Sequence, residues 1–372
     1  MSHIEELVKQ YCPNGVEYKN IKQLAKITTG KLNANAMVED GKYPFFTCDA
    51  NPFLIDTYAF DTEAILISGN GSQVGHINYY KGKFNAYQRT YVLYDFNKSI
   101  LVGYFLHTLK AYLKEHILKN CKKGSVPYIT LPMLEEFKVA IPPLPVQEEI
   151  VKILDAFTSL EAELEAELEA RKKQYEYYRN QLLSFDENTT GGGRIKFMQL
   201  GDVATIQRGK RLTKPQLLQD GLYPVFHGGI EPLGYYNQKN RESDTVMVIN
   251  VGASAGTVGY SPVDFWSSDG CFCISHSKLF LNKYLYYTLK TKEALLQSKV
   301  RKAGIPTLDN SVVEKVIVPI PPLDEQERIV AILDKFDSLV NDISEGLPAE
   351  INARKQQYEH YRNKLLTFEE AA

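Results

Sequence analysis

The chain of 372 residues has no apolar run that could cross a membrane. A membrane-spanning helix needs roughly 20 predominantly apolar residues, and no segment approaches that length. The first residues, Met1 to Glu6, also lack the basic stretch and the apolar stretch of a secretory signal peptide. We therefore expect a cytoplasmic protein that makes no contact with membranes.

Cysteine is scarce, and its spacing does not match a common metal site. The cysteines are odd in number and scattered along the chain: Cys12, Cys48, Cys121, Cys271 and Cys273. Cys271 and Cys273 are one residue apart, without the two-residue gap and the second ligand pair that a zinc site would show. We expect reduced thiols and no bound metal.

The motifs of nucleotide-using enzymes are missing as well. The sequence has no Gly-Lys-Ser or Gly-Lys-Thr phosphate loop and no His-Glu-x-x-His cluster. Gly69 and Gly71 follow an apolar segment, as in a dinucleotide-binding fingerprint, but His76–Tyr80 alternates like a strand instead of opening a helix. We predict that the chain binds no cofactor and is not an enzyme, with a nucleotide-binding enzyme as the weaker alternative.

The chain does contain a long internal repeat. Ile141–Leu160 returns as Ile320–Leu339 with 14 of 20 positions identical, and Arg171–Leu183 returns as Arg354–Leu366. A period near 180 residues is far longer than the roughly 20 to 50 residues of a solenoid unit. Each copy should therefore be a domain with its own core. Because the segments before each repeated block agree only in outline, we expect one task performed on two different ligands.

Apolar residues three and four apart follow each Pro-Pro-Leu, which predicts two long helices. Each would cover about 40 residues, or roughly 60 Å, and its narrow apolar stripe needs a partner of similar length. We predict that the two helices pair as an antiparallel coiled coil with the globular domains at opposite ends. The predicted coiled-coil residues, to which docking is added by the resemblance described below, are Ile150, Leu154, Phe157, Leu164, Tyr175, Tyr178, Ile329, Leu333, Phe336, Ile343, Tyr358 and Tyr361.

Two details of these helices are readable in the sequence. Gly346 and Pro348 should kink or interrupt the second helix. Between Leu160 and Ala170 the unit Leu-Glu-Ala-Glu occurs almost three times. This run is either a spacer of adjustable length or simply a sequence with high helix propensity.

The globular parts should be mixed α/β (α+β), with two domains of similar fold. Ala64–Ser68, Tyr91–Leu93, Thr245–Ile249 and Cys271–Ile274 have the pattern of strands, and Tyr104–Leu118 and Lys283–Leu296 that of helices. We divide the chain into a first globular domain (1–145), a first long helix (146–185), a linker with a second globular domain (186–323) and a second long helix (324–372).

Charge is unevenly distributed. Residues 146–185 and 324–372 hold 20 acidic and 11 basic residues, which leaves 32 basic and 25 acidic residues, a net charge of +7, for the rest of the chain. Positive globular parts suit DNA, since Arg and Lys bind phosphates and guanine while Asn and Gln can pair with adenine. For each group of polar and charged residues named below, the alternative is a solvated surface loop that contacts no DNA. The first-domain candidates are Lys31, Asn70, Ser72, Gln73, Lys81, Lys83, Tyr87, Gln88, Arg89, Lys122 and Lys123. The second-domain candidates are Arg208, Lys210, Arg211, Lys214, Asn237, Gln238, Lys239, Arg241, Ser254, Arg301 and Lys302.

The repeated blocks resemble the specificity subunit of type I restriction-modification systems over essentially the whole chain. The first carrying motif, Ile-Pro-Pro-Leu-x-x-Gln-Glu-x-Ile-Val-x-Ile-Leu-Asp, occurs at Ile141–Asp155 and Ile320–Asp334. The second, Arg-Lys-x-Gln-Tyr-Glu-x-Tyr-Arg-Asn, occurs at Arg171–Asn180 and Arg354–Asn363.

The resemblance implies two target recognition domains that each read half of an asymmetric, split site in double-stranded DNA. It also implies that the coiled coil sets the gap and docks two modification subunits, which use S-adenosylmethionine to methylate adenine N6. Restriction subunits would add cleavage that needs ATP and Mg. The Leu-Glu-Ala-Glu units resemble the family's spacer repeats. A coiled-coil adapter that reads no sequence is the other class of protein to be tested.

Overall fold

The computed structural model describes residues 3–120, 127–185, 195–342 and 344–371, and it divides into two compact units. The first unit combines Met1–Leu164 with Ile351–Ala372, and the second is Glu165–Glu350. Each unit therefore takes helical residues from both copies of the repeat. None of the described helices is both long enough and apolar enough to cross a membrane.

The first half of the chain contains eight strands and five α-helices within the described residues. They are α1 (His3–Tyr11), β1 (Glu17–Asn20), α2 (Ile21–Leu24), β2 (Lys26–Thr29), β3 (Tyr43–Phe46), β4 (Phe53–Ile55), β5 (Phe60–Ser68), β6 (Ile77–Ala86), β7 (Thr90–Tyr94), α3 (Val102–Asn120), α4 (Leu131–Glu135), β8 (Lys138–Ile141) and α5 (Leu144–Leu182).

The second half repeats this order in its described part. Its elements are β9 (Lys196–Gln199), α6 (Leu200–Val203), β10 (Ile206–Arg208), β11 (Tyr223–Phe226), β12 (Gly234–Tyr236), β13 (Thr245–Ile249), β14 (Val258–Ser261), β15 (Trp266–Ser267), β16 (Cys271–Ile274), α7 (Asn282–Thr291), α8 (Glu293–Ser298), α9 (Asn310–Glu314), β17 (Ile317–Ile320), α10 (Leu323–Asn341) and α11 (Leu347–Leu366). The strands and helices predicted from sequence are present, except that Lys283–Leu296 forms two helices that break at Lys292.

The two units share one sheet topology. In the first unit the order is β2-β7-β5-β6-β3-β4, and β3 runs parallel to β6, with Phe45 opposite Asn85. In the second unit the order β10-β16-β13-β14 is joined by a sheet β12-β11-β15, in which β11 is parallel to β15. Pro262 lies between β14 and β15 and has no amide hydrogen for a ladder, so the counterpart of the single strand β6 is split. The predicted mixed α/β fold with two similar domains is confirmed.

A buried glutamine from the repeated block fixes the start of each long helix. Gln147 is fully buried, donates to the carbonyl oxygens of Ser99 (2.9 Å) and Pro142 (2.7 Å), and accepts from the amide of Leu101 at 2.8 Å. Gln326 is its counterpart. It is fully buried, donates to the Leu279 and Pro321 carbonyls and accepts from the Leu281 amide. The glutamine of the repeated motif is therefore a structural connector between helix and globular domain.

The aspartate of the repeated motif makes a second connection between the long helix and the globular domain, this time to helix α3 in the first unit and α7 in the second. Asp155 lies 2.8 Å from Nε2 of His107, which is buried, and burial lowers the pKa of this histidine despite the nearby carboxylate. In the second unit Tyr287 replaces the histidine and donates to Asp334. Burial and this hydrogen bond both raise the pKa of Tyr287. Two different side chains thus make the same contact to one repeated carboxylate.

Each long helix uses its apolar stripe for two different packings. Ile150 and Leu154 are fully buried in the core of the first unit, and Ile329 and Leu333 in that of the second. These four residues were predicted as helix–helix contacts, and the core clusters that hold them also contain residues from the other copy's helix: Leu365 and Leu366 in the first unit and Tyr175 in the second. Each stripe begins in the core of its own globular domain, next to the buried glutamine that fixes the start of the helix.

Further along, the stripe packs against the other copy of the repeat. In the first unit the ring of Phe157 stacks on Tyr361 at 5.6 Å and Lys355 pairs with Glu161 at 3.4 Å. Residue numbers rise along α5 as they fall along α11, so this pair of helices is antiparallel. In the second unit Phe336 stacks on Tyr178, also at 5.6 Å. Ile343, a predicted coiled-coil residue, lies outside the described residues.

The predicted interruption of the second long helix is confirmed. α10 ends at Asn341 and α11 begins at Leu347, so residues 324–372 hold two helices instead of one. Gly346 lies where a Cβ atom would come 2.4 Å from the carbonyl oxygen of Ser338. The turn therefore needs glycine at this position, and Pro348 then lies in the first turn of the next helix.

The last residues of the chain are joined to the first domain. The amide of Val16 donates to the carbonyl of Glu369, and the amide of Ala371 donates to the carbonyl of Val16. Gly15, which directly precedes Val16, has φ +83°, and a Cβ atom there would lie 2.6 Å from the carbonyl oxygen of Glu369. A residue with a side chain would be strained at this φ, and its Cβ atom would collide with the tail, so the position favours glycine.

We expect Gly15→Ala to lower the free energy of unfolding by about 2 kcal/mol and to expose the C-terminal tail to proteolysis. Gly71→Ala is the matched control, because Gly71 has φ +85° but no atom within 4 Å of an added Cβ atom. Chemical denaturation and limited proteolysis of both variants check this. Equal losses in the two variants would show that the steric contact with Glu369 has no effect.

Candidate nucleic-acid interface

A turn built on two left-handed glycines ends the central strand of each unit. After β5 the turn contains Gly71 and Gly75, with φ +85° and +79°. After β13 the equivalent glycines are Gly252 and Gly256, with φ +91° and +89°. The Gly75 amide donates to Ser68 and the Gly256 amide to Ile249, both at 2.8 Å. The backbone frame is the same in both units.

The side chains on this frame differ. Asn70, Ser72 and Gln73 occupy the first turn, whereas Val251, Ala253 and Ser254 occupy the equivalent positions of the second. Amides and hydroxyls can read base edges in a groove, while Val251 and Ala253 can make only apolar contacts. One frame therefore presents two different chemical surfaces.

Three loops meet at this end of the first unit. The amide of Gly69 donates to the carbonyl of Arg89 at 2.9 Å, and the amide of Ile129 donates to the carbonyl of Gly69 at 2.8 Å. A cavity of about 260 Å³ lies between the loops and is lined in part by Asn70, Gln88 and Arg89. The structure thus brings together three of the predicted contact residues.

Other first-domain candidates lie elsewhere in the unit. Lys31 is exposed and precedes Leu32, whose carbonyl accepts from the Gln88 amide, so it belongs with the loops above. Ser72 and Gln73 line a different cleft, beside Lys110 and Lys114. The placements that remain are these: Lys81 and Lys83 lie on β6 opposite Glu63 and Asp61, Tyr87 is half-buried, and Lys122 and Lys123 lie outside the described residues.

In the second unit, several predicted contact residues bond within the protein. Arg241 donates to the carbonyls of Asn240 and Arg208, and Lys239 pairs with Asp264 at 2.6 Å. The hydrogen bond to Asp264 raises the pKa of Lys239. Arg301 pairs with Asp309 at 2.9 Å. These cations hold the loops in shape, so their charge is partly balanced before any ligand arrives.

The remaining second-domain candidates are mostly exposed. Arg208 donates from Nε to the carbonyl of Asp269, which lies in the turn before β16. Asn237 accepts weakly from the amide of Leu222, and Ser254 is half-buried in the glycine turn. Exposed side chains belong to Lys210, Arg211, Lys214, Gln238 and Lys302. As contacts to DNA, all these residues stay predictions.

Sequence reasoning missed side chains that the structure adds to these clusters. Tyr128, which is 44% exposed, lines the same cavity as Arg89, and Lys110 and Lys114 face Ser72. The signal for Tyr128 was the parallel between Val126-Pro127-Tyr128 and Ile305-Pro306-Thr307 at the spacing of the repeat. Lys110 and Lys114 gave no signal, because they lie on a helix far from the turn in sequence.

The thiols and carboxylates give no sign of a metal centre. Within the described ranges, no group of three or more His, Cys, Asp or Glu side chains is placed to hold a metal ion. Cys12, Cys48, Cys271 and Cys273 are free thiols, and Cys121 lies outside the described residues. Burial raises the pKa of Cys271 and Cys273, which keeps both thiols protonated and unreactive.

A family model describes both halves of this molecule. The model for the type I restriction modification DNA specificity domain matches residues 13–170 and again residues 194–353. The chain belongs to the type I restriction-modification specificity subunits. Membership makes this chain the DNA-recognising, non-catalytic component of its system, as the resemblance implied.

Related specificity subunits match this chain over most of its length. A putative type I restriction enzyme specificity subunit of Haemophilus influenzae is 32% identical over 395 residues, covering 95% of this chain and 96% of the relative. The EcoR124I/EcoR124II specificity subunit of Escherichia coli is 33% identical over 306 residues, covering 74% of this chain and 72% of that one. The crystal structure of an S subunit from M. genitalium has a TM-score of 0.66 at 19% identity, covering 95% of this chain and 96% of that one. At that identity the last match shows the shared fold.

Proposed function

We propose that this specificity subunit selects an asymmetric, bipartite DNA site by reading one half-site with the loops of each unit. The observation that carries the proposal is the shared glycine frame with different side chains, Asn70 and Gln73 in one unit and Val251 and Ser254 in the other. Two domains that share a backbone frame but carry different side chains on it are suited to two different half-sites. The exposed cations around both frames would position the DNA backbone.

The repeated aromatic stack supports docking of two modification subunits. Phe157 with Tyr361 and Phe336 with Tyr178 have the same 5.6 Å ring spacing in the two units. Tyr361 and Tyr178 keep 44% and 39% of their surface exposed. A partner that binds twice needs one surface presented twice, and aromatic residues are enriched at interfaces. Each helix pair would offer this surface to one modification subunit.

The chemistry would then reside in the partners. Modification subunits would bind S-adenosylmethionine, flip the target adenine out of the duplex and methylate its N6 atom. Restriction subunits would use ATP and Mg to cleave unmodified DNA. In this arrangement the specificity subunit itself holds no cofactor, and the complex works in the cytoplasm, where the DNA is.

Methylome sequencing tests the proposal. The chain and its modification subunit are expressed in a host without adenine methylation, and N6-methyladenine is mapped on both strands. One split, asymmetric motif that disappears when this chain is omitted is the expected result. An intact complex that methylates no motif would favour an adapter without sequence reading. Nucleotide turnover by the isolated chain would instead favour the enzyme alternative.

A substitution in the first unit tests which loops read bases. Arg89→Ala should relax the sequence preference at one half-site only, by about 1–3 kcal/mol per base pair contacted, because a guanidinium can bind guanine at two points. Lys83→Ala is the control, since Lys83 lies on β6 over the ring of Tyr58 and opposite Asp61. Competition binding at fixed salt measures both. An unchanged preference in the Arg89 variant would remove this residue from the reading surface.

A further inference from the structure

A hairpin in the second unit presents one apolar side chain at its tip. Arg301 and Thr307 close the hairpin with two backbone hydrogen bonds of 2.9 and 3.1 Å. Ile305 lies in the loop between them and is 72% exposed. Next to it Gly304 has φ +83°, and a Cβ atom there would meet nothing within 4 Å. The tip therefore extends into open space.

Backbone hydrogen bonds join the hairpin to the glycine turn that follows β13. The amide of Gly252 in the glycine turn donates to the carbonyl of Pro306 at 2.9 Å, and the amide of Leu308 donates to the carbonyl of Asn250 at 2.9 Å. The hydroxyl of Thr307 donates to the carbonyl of Ile305, also at 2.9 Å. A single exposed aliphatic residue is ordinary on a protein surface. The hairpin that carries Ile305, however, is fixed beside the glycine turn by these hydrogen bonds.

The sequence of the hairpin recurs in the first half although its surroundings differ. Arg301-Lys302-Ala303-Gly304-Ile305-Pro306 matches Lys122-Lys123-Gly124-Ser125-Val126-Pro127 at the spacing of the repeat. Residues 121–126 lie outside the described residues, so only the sequence is compared. Both segments have two cations, two small residues, a β-branched aliphatic residue and proline. Because this segment is common to two domains whose other loops differ, we expect it to perform a task that both half-sites require.

Under the proposed function, on which this inference rests, the shared task is exposure of a target adenine. A methyltransferase must take its target base out of the stack, which leaves an unpaired thymine and a gap in the duplex. DNA-bending proteins place apolar side chains such as isoleucine between base steps. A β-branched residue suits this role because it has few rotamers to lose.

We propose that Ile305 is a wedge at the target base pair of the half-site read by the second unit. Its side chain fills the space left by the flipped adenine and packs on the orphan thymine. Lys302, exposed beside it, binds the adjacent phosphates. The proline that follows keeps the backbone of the tip from folding back.

The test uses the complete complex of this chain with its modification subunit on DNA carrying the mapped site. Ile305→Ala should slow methylation of one of the two target adenines by about tenfold and leave the other within about twofold. Equilibrium DNA binding should stay within about twofold, and Ile305→Val should retain most of the rate. Leu222→Ala is the matched control, because Leu222 is 74% exposed in the same unit but lies in another loop. It should change neither adenine.

A second readout separates a wedge from a general DNA contact. With 2-aminopurine at each target position in turn, the fluorescence increase on binding should fall in the Ile305→Ala complex at one position only. Wild-type rates at both adenines would overturn the wedge. Equal slowing at both, or a general loss of binding, would assign the hairpin to backbone contact instead. Failure of the proposed function is distinguishable, since the wild-type complex would then methylate no split motif.

Discussion

Insertion of one Leu-Glu-Ala-Glu unit after Glu167 should lengthen the gap between the two methylated half-sites by about one or two base pairs. Four residues add roughly 6 Å of helix, and DNA rises about 3.4 Å per base pair. Because an α-helix has 3.6 residues per turn, the added unit keeps the apolar stripe on nearly the same side of the helix. The recognised site would change although no contact to DNA has changed.

The structure places the repeat where such an insertion does least damage. α5 is continuous from Leu144 to Leu182, and the division between the compact units falls between Leu164 and Glu165, within the Leu-Glu-Ala run. Added residues there leave the buried Ile150 and Leu154 of one unit and Tyr175 of the other in their own packing.

Methylome sequencing of the insertion variant measures the gap directly. Replacement of Leu160–Glu163 by Ala-Glu-Ala-Lys keeps the length and serves as the control, for which the gap should not change. If the longer variant keeps the wild-type gap while both half-sites remain methylated, helix length does not set the spacing.

Gln326→Leu should lower the free energy of unfolding of the second unit by about 3 kcal/mol. The substitution conserves volume but leaves three buried polar groups without their partner: the amide of Leu281 and the carbonyls of Leu279 and Pro321. Each buried group left unsatisfied costs about 1–3 kcal/mol. Gln147→Leu should have a similar effect in the first unit, because its three hydrogen bonds are equivalent.

Chemical denaturation together with amide hydrogen exchange checks this prediction. Protection of the Leu281 amide should fall in the Gln326 variant, while Gln356→Leu, at an exposed position on α11, should leave stability within about 0.5 kcal/mol of the wild type. Equal stability of the Gln326 and Gln356 variants would mean that the repeated glutamine does not connect helix and domain.

Local patterns predicted much of this architecture. The duplicated Pro-Pro-Leu blocks, the apolar spacing after them and the glycine and proline near residue 346 predicted two domains, a long helix and an interrupted one. Strands such as β5 and β13 were visible as apolar runs that lead into glycine-rich turns. These features depend on residues close together in sequence, where periodicity and backbone restriction act directly.

The candidate contact residues were less predictable. Arg89 and Asn70 line one cavity although 19 positions separate them, whereas Lys83, nearer to Arg89 in sequence, lies on β6 opposite a carboxylate. Arg241 and Arg211 both lie in polar, basic segments of the sequence, yet Arg241 donates to two backbone carbonyls. Charge in a sequence cannot show which side chains are already bonded within the protein.

The sequence by itself determined the duplication, the family, the start of each long helix and the difference between the side chains of the two glycine turns. Only the tertiary structure decided that the stripe begins in a domain core, that Gln147 and Gln326 are connectors, and that an exposed isoleucine lies on a hairpin beside the second glycine turn. The reason is physical. Helix and turn preferences act over a few residues, but burial and hydrogen-bond partners depend on segments that meet only when the chain has folded.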